Sequence, residues 1–157
     1  MCGRIKIIYK NSITADEVNK LRRAVCFRQI DEAQIEAGLS GSALIVSAYE
    51  DSHAVGMARL IWDGGITALI TDLVVLPEYQ NRGIETEMIK RILSFLQDRL
   101  RPGFGIQVDV RAWGNQEFLY RELGFVVSTQ ERRGVPMHIC LTEQIELTDA
   151  RFQQCGF

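Results

Sequence analysis

The stretch LPEYQNRGIETEMIKRI, from Leu76 to Ile92, gathers nitrogen donors between an apolar run and a long amphipathic segment. The first amides of a helix lack internal acceptors and carry the positive end of its dipole. Asn81, Arg82, Gly83, Ile84 and Glu85 can therefore present N–H groups to a phosphate. Gly83 lets a ligand approach the backbone, Gln80 can donate an amide, and Arg82 offers a guanidinium fork for phosphate oxygens. Pro77 ends the preceding run. The same residues suit an ordinary strand-to-helix turn, and local chemistry leaves both readings open. Other chemistries find less support. Cys2, Cys26, Cys140 and Cys155 contain no CxxC pair, and His53 and His138 lack paired ligand spacing. No metal site is expected, and the thiols read as reduced and mostly buried. A cysteine hydrolase needs Cys26 or Cys140 beside a histidine and an orienting third group, and no local motif supplies them.

The elements that must position this junction follow from periodicity and punctuation. Arg4–Tyr9 reads as a first strand. Thr14 and Glu17 have capping-box spacing, and Val18, Leu21, Val25 and Phe27 follow as a first helix. Asp31–Gly38 suits a second helix, with Asp31 as N-cap and Gly38 as the stop. Ala43–Glu50, Ala54–Asp63 and Ile66–Leu76 predict three consecutive antiparallel strands joined by short turns. From Gly83 to Leu100 the apolar positions Ile84, Met88, Ile92, Leu96 and Leu100 recur at helical spacing, widened by Ile89 and Leu93. Ile106–Val110 predicts another strand, and Gln116–Leu123 a short helix stopped by Gly124. Phe125–Thr129 and Met137–Leu141 would complete the sheet. The order β-α-α-β-β-β-α-β-α-β-β predicts an α/β fold, a mixed and mostly antiparallel sheet flanked by helices.

Composition bounds the function. A chain of 157 residues with 46% hydrophobic and 24% charged content suits a single domain, 1–157, with 142–157 as a C-terminal tail. Eighteen Lys+Arg against 20 Asp+Glu give a net charge of -2, so nothing global favours nucleic acid or an anionic membrane. The N-terminus lacks an apolar signal core, and no apolar stretch approaches the roughly 18 residues of a membrane span. A cytoplasmic protein is expected.

The segment VVLPEYQNRGIE resembles the acetyl-CoA pyrophosphate loop of the GNAT superfamily of N-acetyltransferases, whose pattern is Gln/Arg-x-x-Gly-x-Gly/Ala. Gln80 and Gly83 match that pattern, and Glu85 departs from it. Downstream, FLYRELGF from Phe118 to Phe125 is similar to the family's FYEKLGF segment and places Tyr120 on its tyrosine. The predicted element order agrees with the GNAT fold, so the resemblance covers about Arg4 to Leu141 and leaves the tail aside. It implies acetyl transfer from acetyl-CoA, a cosubstrate, to a primary amine of a small molecule or peptide. It also implies direct attack in a ternary complex, and a homodimer.

The resemblance assigns roles to residues. The strand end at Leu73, Val74 and Val75 would offer backbone groups to the pantetheine and the acetyl carbonyl, since fixed main-chain dipoles suit a developing charge. Tyr120 would protonate the leaving thiolate, a phenol near 10 being close enough to a thiol near 8.5 for transfer. Asn115 caps the short helix or bonds the cofactor's arm, and Gln116 shares that ambiguity. Asp72, a carboxylate within an apolar strand, is the candidate general base, although period two turns it away from Leu73's side. A water relay or an acceptor arriving neutral would serve as well. The segment from Phe27 to Leu39 belongs, by resemblance, to the region that shapes the acceptor pocket. Its Asp31, Glu32 and Glu36 either attract a cationic amine or form a solvated face. Glu85 raises a second possibility, a GNAT-like binding or scaffold module without catalysis. A carboxylate about 5 Å from a pyrophosphate charge costs on the order of 1 kcal/mol in water and roughly 3 kcal/mol at an effective dielectric of 20.

Overall fold

Thr14 and Glu17 form the expected reciprocal cap. The Glu17 amide donates to Thr14 Oγ1 at 3.2 Å and the Thr14 amide donates to the Glu17 carboxylate at 2.9 Å. Two otherwise orphaned amides are thereby satisfied, and α1 (Ala15–Ala24) begins. The computed structural model describes residues 6–129 together with Gly134 and Met137. Within it, β1 (Ile7–Lys10) precedes α1, and α2 (Glu32–Ser40) follows. Asp31 caps α2 through Oδ1, which accepts from the amides of Ala33 and Gln34. Gly38 does not stop that helix. It is an interior position, where a Cβ would lie 3.3 Å from Arg59 Nη1, and its missing side chain admits the guanidinium.

The sheet follows. It contains β2 (Leu44–Glu50), β3 (His53–Trp62), β4 (Thr67–Val75) and β5 (Gln107–Val110), with strands ordered β1-β2-β3-β4-β5. Pairing is antiparallel through β4, and β5 joins β4 in parallel. The crossover between β4 and β5 carries a short turn at Pro77–Tyr79 and then α3 (Ile84–Gln97), and α4 (Gln116–Glu122) follows β5. A crossover of this kind is what a parallel neighbour requires. The result is the mixed, mostly antiparallel sheet that the sequence predicts, with helices on both faces. Met88, Ile89 and Ile92 of α3 pack with Val46, Ala58, Leu60 and Ile70 on one face. Val18 and Leu21 of α1 and Ile35 of α2 pack with Met57 and Val74 on the other.

Several boundaries differ from expectation. α3 ends at Gln97, and Leu100 is already exposed in the loop beyond it. Phe125–Thr129 forms no strand, because no described strand lies beside it to complete a ladder, and Val126 and Val127 are exposed. Met137 is exposed, whereas the remainder of the expected last strand, with His138, lies outside the described residues. So do Cys2, Cys140, Cys155 and the tail 142–157. Cys26, read as buried, is exposed. It follows the C-cap of α1 at a positive φ of 61°, where the chain turns away from the core.

The register of β3 against β4 contains one surplus residue on β4. Arg59 faces Thr71 and Met57 faces Val74, so three steps on β4 match two on β3. Beside this bulge, Gly56 faces Val75, and a Cβ there would stand 3.0 Å from both the Val74 carbonyl oxygen and Val75 Cγ2. Backbone cannot yield cheaply. Gly56→Ala should lower stability by about 1–3 kcal/mol through overpacking. Chemical denaturation would check this, and an unchanged midpoint would show that β4 can move away from β3.

Candidate active site

Parallel pairing between β4 and β5 runs from Thr67 and Gln107 to Ile70 and Val110. There β5 ends, while β4 continues to Val75. Beyond Ile70 that side of β4 has no strand partner among the described residues. A cavity of about 400 Å³ opens at this divergence, lined by β4 residues including Asp72 and Leu73, by Gln116 and Tyr120 of α4, and by Arg22 and Phe27 from the α1 side. Arg111 and Trp113, from the loop after β5, complete its wall.

Asp72 is the surplus residue, at a left-handed φ of 52°. Strict alternation would place it opposite Leu73, yet the bulge lets both line the cavity. Its carboxylate is engaged: Arg59 Nε donates to Asp72 Oδ2 at 2.8 Å. Arg59 Nη1 also donates to the Gly38 carbonyl at 2.8 Å and to Ser42 Oγ at 3.2 Å. One guanidinium thus ties the bulge to α2. Asp72 lines the cavity, but a role as general base would have to compete with this ion pair.

Tyr120 is 4% exposed and meets Phe125 edge-to-face at 5.4 Å. No described residue hydrogen-bonds its hydroxyl, and burial pushes the phenol up to about 12. Gln116 bridges the two walls. Its Oε1 accepts from the Trp113 amide at 3.2 Å, and its Nε2 donates to the Leu73 carbonyl at 3.4 Å. Asn115 sits at the N-cap position of α4, but its exposed side chain makes no capping bond. Val74 and Val75 differ from Leu73. Their side chains are buried in the core layers on opposite faces of the sheet, and only Leu73 of the three lines the cavity.

The loop before α3 has the features an anion cradle needs. Asn81 and Gly83 adopt left-handed φ values of 59° and 79°. No side chain caps α3, whose backbone bonding begins with the Glu87 amide donating to the Gly83 carbonyl. A Cβ at Gly83 would meet nothing within 4 Å, so the space beside this residue is open. Gln80 is exposed, and its Nε2 donates to the Val75 carbonyl at 3.1 Å. The guanidinium carbon of Arg82 lies 5.3 Å from the centre of the Tyr79 ring. The Tyr79 hydroxyl donates to Glu50. Arg82 does not pair with Glu85, which is half-buried and has no ion pair among the described residues. The charge of Glu85 does reach Tyr9, adding to the burial and to the Glu87 charge that raise that phenol's pKa.

The acids of the acceptor segment lie elsewhere. Asp31 is used as the α2 cap, Glu32 and Glu36 are exposed, and none of the three lines the cavity, although Phe27 does. Sequence reasoning missed Arg22, Arg59, Arg111 and Trp113. For Arg22 a signal existed, because it falls on the same face of α1 as Val18, Leu21 and Val25. A charge within an apolar stripe calls for an explanation. Among the described residues no group of three or more His, Cys, Asp or Glu is placed to hold a metal ion. No described helix is long and apolar enough to cross a membrane.

A strand that parts from its parallel neighbour leaves an unpaired edge, and the uncapped start of α3 leaves free helix amides. Comparison with known proteins specifies the family. Residues 10–141 match the family model described as "Acetyltransferase (GNAT) domain". The chain belongs to the GNAT acetyltransferase family. It is 31% identical over 125 residues to GCN5-related N-acetyltransferase 1, chloroplastic, of Arabidopsis thaliana, matching 78% of this chain but spanning only 61% of that relative's length. It is 26% identical over 143 residues to an uncharacterized N-acetyltransferase of Pyropia yezoensis, covering 85% of this chain and 80% of the relative. Among solved structures, a probable acetyltransferase of Staphylococcus aureus superposes with a TM-score of 0.75 at 22% identity, covering 85% of this chain and 99% of the other. The ribosomal-protein-S18-alanine N-acetyltransferase of Escherichia coli superposes at 0.63 with 17% identity, covering 79% and 80%.

The bulge supplies a test of the site's scaffold. Asp72→Ala should cost on the order of 1–3 kcal/mol, because it leaves Arg59 short of an acceptor and keeps a Cβ at a left-handed position. Asp72→Gly should be more stable than Asp72→Ala by roughly 1 kcal/mol, since glycine adopts that conformation freely. Urea unfolding of both variants checks the order, and equal stabilities would mean that the backbone conformation is not a constraint.

Proposed function

We propose that the protein transfers an acetyl group from acetyl-CoA to a primary amine, by direct attack within a ternary complex. The observation that carries this reading is the divergence of β4 from β5, with Leu73, Gln116 and Tyr120 around one cavity. The residues present fit the cosubstrate. The open space over Gly83 and the uncapped start of α3 suit its pyrophosphate, with Asn81, Arg82, Gly83, Ile84 and Glu85 forming the cradle. Gln80 braces the cradle from behind. The unpaired edge of β4 suits the extended pantetheine, which would add alongside it as a strand does. Exposed Asn115 is free to bond that arm.

Acetyl-CoA supplies an activated thioester; the chain's own residues position it and manage charge and protons. Main-chain N–H groups along the free edge of β4 are fixed before charge develops on the carbonyl oxygen, which is why they stabilise it efficiently. Tyr120 is protonated throughout the physiological range and delivers its proton to the departing sulfur, while the attacking amine sheds its proton to solvent, which returns one to the phenolate. A phenol at about 12 is a weak acid against a thiolate in water. The sulfur, however, is released beside the same buried phenol, where burial raises its proton affinity too.

Two outcomes test this reading. Tyr120→Phe should leave acetyl-CoA affinity unchanged while lowering kcat by roughly 10²–10⁴-fold. In the parent protein, loss of the Tyr120 proton should not depress kcat until well above pH 10, because the acid form persists toward pH 12. Thiol release against pH measures both. An unaltered rate in the Phe variant, where chemistry limits turnover, would remove Tyr120 from the mechanism.

Glu85 stands where the family's pattern has Gly or Ala. Glu85→Gly should tighten acetyl-CoA binding by about five- to a hundredfold at low salt, corresponding to a repulsion of roughly 1–3 kcal/mol, and Glu85→Gln should recover part of that gain. Added salt should shrink both effects. Calorimetry decides. If neither variant gains affinity, Glu85 points away from the phosphates; if the parent binds no acetyl-CoA and the Gly variant does, the chain is a binding module that has lost its cosubstrate.

A further inference from the structure

Arg22 is 7% exposed, yet it lines the cavity beside the proposed reacting space. Its Nε donates to the Arg28 carbonyl at 2.8 Å, and the centre of the Phe27 ring lies 5.6 Å from its guanidinium carbon. Among the described residues its buried Nη2 has no hydrogen-bond partner. No described carboxylate forms an ion pair with it, and Asp72, the acid whose charge reaches it, is bonded through Oδ2 to Arg59. Arg111 adds a second positive charge to the cavity lining, and among the described residues Asp72 is the only acid that lines it. An unpaired buried guanidinium is costly, and a ligand that completes its hydrogen bonds and charge removes the cost. The phosphates of the cosubstrate are poor candidates. Arg22 sits on α1, across the sheet from α3, and none of Gln80 to Glu85 lines this cavity.

We propose that Arg22 is a carboxylate receptor at the acceptor end of the cavity, so that the amine acetylated by this protein also carries an acid group. This deepens the acetyl-transfer reading and rests on it for the identity of the cavity. Phe27 would cover the guanidinium and keep water from screening the pair, and Arg111 would draw the acid toward the opening. The acids of α2 offer no competing attraction for a purely cationic acceptor, since none of them faces the cavity.

The test uses the whole chain and matched probes. Free alanine and phenylalanine are compared with their C-terminal amides, and tetrapeptides with aspartate at the second position are compared with the same peptides carrying asparagine. Amidation makes an amino acid's amine less basic and so favours the amide by itself, which makes a preference for the acid a conservative sign. In the parent protein kcat/KM should favour the acid about ten- to a hundredfold in one arm, through KM, as expected for a hydrogen bond to a charged group. The responding arm tells whether the acceptor is a small amino acid or a peptide. Arg22→Met should abolish the preference while leaving acetyl-CoA affinity and kcat on the amide nearly unchanged, and Arg22→Lys should keep part of it. Thermal shifts with the same probes at millimolar concentration give a readout without turnover, and stabilisation by the acid should vanish in Arg22→Met. If acids and amides are used and bound alike in both arms, or if Arg22→Met and Arg22→Lys weaken acetyl-CoA binding instead, the inference is overturned. Acid-selective stabilisation with no turnover on any amine would preserve the receptor and sink the transfer reading. Turnover without acid preference would do the reverse.

Discussion

One surplus residue in β4 sets the geometry on which everything else depends. A regular strand would keep its ladder to both neighbours and alternate its side chains, leaving no opening in the sheet. Asp72 breaks that regularity by taking a left-handed conformation, which increases local twist and lets the strand run on without β5. The position is uncomfortable for a residue with a Cβ, and Arg59 compensates with a short ion pair in which both side chains are largely shielded. Asp72 therefore works first as architecture, whatever proton chemistry takes place beside it.

The opening is shared between the two layers of the protein. Tyr120 and Leu73 belong to the packing on the α3 face, while Arg22 and Phe27 reach the cavity from the α1 side. Two glutamines hold its exposed edge, Gln116 on the Leu73 carbonyl and Gln80 on the Val75 carbonyl. Each spends a side-chain amide on a backbone oxygen that the missing strand would otherwise have satisfied. The edge is thus braced by two side-chain hydrogen bonds that belong to the protein itself. It also carries little risk of pairing with another chain's edge.

The parts of this design that were legible in the sequence are those with local physical signatures. Thr14 with Glu17, and Asp31, announced their helices because caps act within one turn. The α3 stripe, the glycine at position 83 and the FLYRELGF segment located the start of α3 and the helix that carries Tyr120. What was not legible depends on distant partners. The bulge defeats the period-two argument used for Asp72, since nothing near residue 72 in sequence reveals that Arg59 will face it. Gly38 looked like a helix stop because its role as a gap for Arg59 is likewise non-local. Asn115 had a good capping residue's identity but not the geometry, since its φ of -90° and ψ of 5° are not the extended backbone that a capping residue takes. Phe125–Thr129 had strand composition without a described partner. Arg22 was the readable exception that went unread, a charge set into an apolar stripe.

Arg59 joins three things that are far apart in the chain: the bulge at Asp72, the Gly38 carbonyl within α2, and the Ser42 hydroxyl beyond it. Local openings of a protein involve contiguous cooperative units rather than single bonds. Fraying of α2 would take two acceptors from this guanidinium at once and slacken its hold on Asp72. The helix and the bulged strand should then exchange their protected amides in one event, with a common opening free energy. A helix that reports its own seating to the strand beneath it gives α2 a way to loosen or tighten the free edge of β4 at a distance.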